Sequence, residues 1–196
     1  MVTRRVQPGR ATFVVRTRAE GMLRRLAHEL ELWAEPEHLD LELDVATEAW
    51  RARATFPVDR IAVAGTLDGG RMVPTGVNRL ERREIRRRLR RDVLPGPAVR
   101  VEARGPHPGA GTLTVAAPRG TQTVPLDDLT RSGPTSSGAH PWISGKATVS
   151  LARLGIAEIK GPLGAFRVGD AVTLSFRVHL PRGVLPEAAT THPAGS

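Results

Sequence analysis

"VTLSFRVHL" (172–180) alternates without a break. Val172, Leu174, Phe176, Val178 and Leu180 fall on one side, and Thr173, Ser175, Arg177 and His179 on the other. Successive side chains of a strand point to opposite faces, so the segment reads as a strand with one apolar face and one wet face. The same period recurs upstream. "HLDLELDV" (38–45) sets Leu39, Leu41, Leu43 and Val45 against His38, Asp40, Glu42 and Asp44. "WRARATFPV" (50–58) sets Trp50, Ala52, Ala54, Phe56 and Val58 against Arg51, Arg53 and Thr55. In "ATFVVRTR" (11–18) Phe13 and Val15 oppose Arg16 and Arg18. Shorter runs place Val99, Val101 and Ala103 together, Leu113 with Val115, and Val149 with Leu151.

With "ELELWAE" (29–35) there are about eight such segments, punctuated by turns such as "DGG", "PGP" and "PHPGAG". The pattern predicts a mainly β protein, either an antiparallel sandwich or a closed barrel. One helix interrupts it, at about 79–92. Residues 1–10 read as a short basic tail and 11–180 as a single domain. The Pro-, Ala-, Thr- and Gly-rich 181–196 read as a disordered tail, and "TRSGPTSSGAHP" (130–141) as a long loop.

A chain of 196 residues, 40% hydrophobic and 25% charged, is sufficient for one domain with a real core. No stretch reaches the roughly 18 apolar residues that span a bilayer, and the N-terminus lacks the apolar core of a secretory signal. A cytoplasmic location is the resulting expectation. The absence of cysteine excludes disulfides, thiolate catalysis and cysteine-ligated metals. The net charge is +9, yet of 29 basic residues only Lys146 and Lys160 are lysines. That skew, with abundant Ala, Gly and Pro, is what GC-rich coding produces, so charge alone assigns no partner.

Much of the charge lies in "NRLERREIRRRLRRDVL" (78–94). Asn78 and Glu81 have the spacing of a capping box. Ile85, Leu89 and Val93 recur at i, i+4 and i+8, a stripe of about 80° that suits a helix lying on a barrel or closing its end. The other faces carry Arg79, Arg82, Arg83, Arg86, Arg87, Arg88, Arg90 and Arg91, interleaved with Glu81, Glu84 and Asp92. A Glu84–Arg88 pair is expected at helical spacing. No aromatic residue is present for base stacking, and no helix-turn-helix or zinc-finger pattern adjoins. The segment reads as a solvated helix face, without specific nucleic-acid binding. The alternative is an electrostatic interaction protein that uses the Arg-rich helix 79–91 on nucleic acid or an anionic membrane.

Catalytic motifs are sparse. The six histidines form no His-x-x-x-His pair, and neither a Gly-x-Ser-x-Gly elbow nor a phosphate loop occurs. "GPLGAF" (161–166) reads as a turn, and the adjacent Asp127 and Asp128 as a solvated turn. The expectation is a non-enzyme with no metal and no cofactor.

Residues 142–180 resemble the C-terminal strands of the YceI-like family of polyisoprenoid-binding proteins. There a "G-x-x-x-V-S-L-x-x-L-G-I" strand leads into "R-V-x-D-x-V-x-L-x-F". Here these are Gly145, Val149, Ser150, Leu151, Leu154, Gly155 and Ile156, then Arg167, Val168, Asp170, Val172, Leu174 and Phe176. Residues 13–32 and 80–94 are similar in order to the family's first strand and its arginine-rich helix. Leu30 stands where one subgroup has a second histidine.

The resemblance implies an eight-stranded antiparallel lipocalin-like barrel enclosing an isoprenoid or fatty-acyl chain. An isoprenoid quinone or other lipid is then the expected partner. The apolar faces would line it: Phe13, Val15, Leu41, Leu43, Trp50, Phe56, Val101, Leu113, Val115, Val149, Leu151, Leu174, Phe176 and Val178. The small inward residues Ala34, Ala52, Ala54, Ala103 and Ala147 are expected to leave volume for a cavity. His28 is the candidate polar contact for a head group at the mouth, the alternative being a structural histidine near a strand end.

Overall fold

The computed structural model describes residues 2–5, 10–20, 29–44, 47–107, 109–132, 141–160 and 167–180. The strands begin with β1 (Val2–Arg5), β2 (Ala11–Arg16), β3 (Ala19–Glu20), β4 (Glu29–Ala34) and β5 (His38–Leu43). They continue with β6 (Trp50–Pro57), β7 (Ile61–Asp68), β8 (Arg71–Val73), β9 (Ala98–His107) and β10 (Ala110–Ala117). Last come β11 (Gly120–Pro125), β12 (Asp127–Ser132), β13 (Trp142–Ser150), β14 (Arg167–Val168) and β15 (Ala171–His179).

These strands form two large antiparallel sheets. A 6-stranded sheet runs β1-β5-β6-β9-β10-β11 and a 7-stranded sheet runs β12-β13-β15-β2-β4-β7-β8. β14 and β3 make a small pair of their own. The expectation of an eight-stranded closed barrel is corrected here: the described strands form no single closed ring of hydrogen bonds. Alternation fixes which side chains face inward but is silent on which strands pair around a ring. The chain crosses between the sheets several times. Val58–Arg60 carries β6 into β7, and Leu126 carries β11 into β12, each step passing from one sheet to the other. The two sheets are also bridged where Gln122 on β11, itself buried, accepts a hydrogen bond from the Ser150 amide of β13 at 2.9 Å.

Residues 2–5, expected as part of a tail, instead form β1 and pair with β5 from Val2↔Leu43 to Arg5↔Asp40. Asp127 and Asp128, expected in a turn, begin β12, where Asp128 adopts φ 50° at a register shift and pairs with Lys146 at 2.9 Å. Such a bulge breaks the period of two that marks a strand in sequence. The tail at 181–196, the turn at 161–166 and most of the loop at 130–141 lie outside the described residues.

The apolar faces of the two sheets meet in one core. Phe13 of one sheet and Phe56 of the other touch edge to face, with ring centroids 4.8 Å apart. Leu39, Leu41, Leu43, Trp50, Ala54 and Phe56 are buried from the first sheet, and Leu32, Ala147, Val149 and Val172 from the second. Each large side chain so buried stabilises by about 1.5–3 kcal/mol. On the outer face of β4, Glu31 is only 5% exposed because the Arg16 guanidinium and the Trp33 indole Nε1, which donates at 2.9 Å, cover its carboxylate.

The helix forms as its capping signal predicts. Helix α1 (Arg79–Arg88) runs on into a π-helical turn, Leu89–Val93. Asn78 Oδ1 accepts from the Leu80 and Glu81 amides at 2.9 and 3.0 Å, and Glu81 Oε2 accepts from the Asn78 amide at 2.8 Å. The box satisfies donors that a helix start leaves unpaired. Arg82 fastens the helix to the second sheet: its guanidinium donates to the carbonyls of Val63, Ala64, Pro74 and Val77. No helix in the described residues is long and apolar enough to cross a membrane.

Candidate functional site

The interior is not filled uniformly. Across the first sheet the register sets Leu41 beside Ala52, Ala52 beside Ala103, and Ala103 beside Leu113. Two leucines therefore flank two alanines along one row, so large side chains lie beside small ones. Trp50 seals the end of the core that holds Leu41 and Leu43. Its indole lies against Gly105 and Gly111, where any Cβ would come within 2.8 Å, and its Nε1 donates to the His107 carbonyl at 3.1 Å. This end is solid core.

At the other end the sheets line a half-open apolar cavity of about 700 Å³. Phe13, Val15, Leu32 and Ala34 line it from β2 and β4, and Phe56, Val101, Leu113 and Val115 from β6, β9 and β10. β13 contributes Val149, and β15 contributes Val172, Leu174 and Phe176. The turn after β13 adds Leu151, Leu154 and Ile156. That turn depends on Gly155 at φ 72°, where a Cβ would lie 2.8 Å from the Arg119 carbonyl oxygen. Asp170 staples it by accepting from the Ala152 amide at 2.7 Å through Oδ1 and from the Leu151 amide at 2.9 Å through its own carbonyl. The Ala152 amide and the Ser150 hydroxyl hold the Asp170 carboxyl below its usual pKa.

The arginine-rich helix borders this same cavity. Ile85, Leu89, Val93 and Leu94 contribute apolar surface to the lining, so the stripe seen in sequence closes an end rather than lying on an outer wall. Charged groups gather at its rim. Arg88 donates to Glu84 at 3.0 Å and to the Lys160 carbonyl at 3.3 Å, tying the helix to the segment before β14. Arg167 pairs with Glu158 at 3.1 Å and Glu20 at 3.4 Å. Hydrogen bonds from Arg87 and Arg88 lower the Glu84 pKa from its usual 4.5 to about 2. Arg18 also lines the rim, and Leu80 projects there with 77% of its surface exposed.

Of the lining residues expected from sequence, Phe13, Val15, Phe56, Val101, Leu113, Val115, Val149, Leu151, Leu174 and Phe176 do border the cavity. Leu41, Leu43 and Trp50 do not: they are buried in the solid end. Val178 packs against the core beyond the cavity. His28 lies outside the described residues. Of the small inward alanines only Ala34 borders the space. Ala52, Ala54, Ala103 and Ala147 belong to the packed core and do not border the cavity. The helical contribution was missed as lining, although the Ile85–Leu89–Val93 stripe was its visible signal.

No protein-family model matches the chain, and no curated protein matches it. Among solved structures it is similar to the crystal structure of Burkholderia cenocepacia BcnA. The TM-score is 0.54 at 12% identity, over 87% of this chain and 96% of that one. The likeness is one of fold, and it supports a lipocalin-like architecture.

Proposed function

We propose that the protein is a non-catalytic lipid-binding module that holds an isoprenoid or fatty-acyl chain between its two sheets. The observation that carries this reading is the cavity of about 700 Å³, walled by aliphatic and aromatic side chains with charge confined to its rim. That volume lies within the roughly 300–1,000 Å³ usual for small-molecule sites, which are mostly apolar with few polar groups. Ordered water needs about two to four polar partners, which such walls do not offer, whereas each buried CH₂ of an acyl chain contributes about 0.8 kcal/mol.

The lipocalin-like fold supports the reading, since that architecture suits an enclosed apolar ligand. The resemblance of 142–180 to the YceI-like family supports the isoprenoid class in particular. Gly155 and Asp170, both part of that resemblance, build the turn from which Leu151, Leu154 and Ile156 reach the cavity. Organic extraction of the purified protein followed by mass spectrometry is the test, with a long-chain isoprenoid or acyl lipid as the expected product. A protein that emerges empty, and binds neither isoprenoid quinones nor polyprenyl lipids at micromolar concentration, would overturn the proposal.

A further inference from the structure

Arg79, Arg83, Arg86 and Arg90 recur at i, i+4, i+7 and i+11, so helical geometry sets them on one face, within an arc of about 60°. All four are exposed, and none has an ion pair among the described residues. The other arginines of the segment are engaged: Arg82 with backbone carbonyls, Arg87 and Arg88 with Glu84, and Arg91 with Asp92. The helix therefore separates its cations into a bonded set and a free stripe. The free stripe stands on the element whose opposite face lines the apolar cavity, and beside it Leu80 is 77% exposed at the rim.

From this juxtaposition we infer that helix α1 docks the protein on an anionic lipid bilayer through its free arginine stripe, with Leu80 at the edge of the contact. The inference rests on the lipid-binding reading above and adds its partner surface. Arginines near an anionic surface are attracted to it, and an adjoining exposed leucine can enter the boundary between headgroups and acyl chains. A duplex would meet the same charge, but the helix has no aromatic side chain for stacking and a nucleic acid gives Leu80 no apolar partner. The bilayer answers both features.

The test is sedimentation of the full-length protein with vesicles of phosphatidylcholine alone or with about one part in three of phosphatidylglycerol. Partition of the same samples with a fluorescent fatty acid is read in parallel. Expected is binding to the anionic vesicles only, lost as salt rises. Replacing Arg79, Arg83, Arg86 and Arg90 by Gln should lower the vesicle partition coefficient by about a hundred-fold or more, replacement by Lys should keep most of it, and Leu80→Ala should lower it modestly. In the two arginine-replacement variants the fatty-acid affinity should stay at the wild-type value. Equal binding to neutral vesicles, a glutamine variant that binds as wild type, or wild-type protein that prefers a random duplex at the same salt would overturn the inference. Retained vesicle binding with no fatty-acid binding would instead sink the cavity proposal and leave docking standing.

Discussion

At the scale of single residues, Arg82 shows how alike side chains take unlike roles. In sequence it is one arginine among many on a helix. In the structure it reaches four backbone carbonyls and holds α1 against β7. Hydrogen bonds from a charged donor contribute about 1.5–3 kcal/mol, and Lys cannot reproduce the planar fork. Arg82→Met is therefore expected to lower unfolding stability by about 2–3 kcal/mol in urea titrations, with Arg82→Lys recovering less than half. Arg83→Met, on the free stripe, is expected to change stability by less than about 0.5 kcal/mol. Nothing in the spacing distinguishes these two arginines, because what separates them is the position of β7, a tertiary fact. The inward alanines carry the same lesson. Their orientation was legible from alternation, but whether they left space depended on Leu41 and Leu113 across the register, which alternation does not give.

Among the elements, strands with one wet and one dry face were legible: β2, β5, β6, β9 and β15 all appear in the sequence as runs of period two. Those missed have a physical reason. β7 has α1 anchored to its backbone, so both its faces are partly covered and its apolar residues do not alternate cleanly. β12 contains the bulge at Asp128, and β1 pairs along an edge. The helix was legible because its cap and stripe are local. Its Glu84, bonded to Arg87 and Arg88, gives an acid signature. Its folded-state pKa of about 2 lies below the usual 4.5, so the stabilisation is fully present above that value and is lost as pH falls toward 2. Glu84→Gln is expected to lower the melting temperature near neutral pH, the difference shrinking steadily as pH falls through this window. A difference independent of pH would show that the Glu84 charge does not fasten the helix.

For the molecule as a whole, the division into a solid end and a hollow end organises the remaining expectations. Leu41→Ala, at the solid end, is expected to cost about 2–5 kcal/mol of stability in denaturant titration while leaving the affinity for a fatty-acyl probe within about two-fold. The two ends were not separable in sequence, since Leu41 and Leu113 belong to equally regular strands. They separate only once Trp50 is seen closing over Gly105 and Gly111 while the helix borders the cavity elsewhere. The likeness of fold to BcnA spans both ends and so bears on the architecture rather than on the occupant.

The most direct test of the cavity as the binding site is to fill it. Val101 lies on its wall, where a larger side chain can extend into free space. Binding of a fluorescent fatty acid to Val101→Phe, measured beside the wild type, should weaken at least about ten-fold, or 1.4 kcal/mol, while the melting temperature holds or rises. An equally stable Val101→Phe protein that binds the probe with wild-type affinity would contradict the account, because the chain would then have to lie somewhere other than between the sheets.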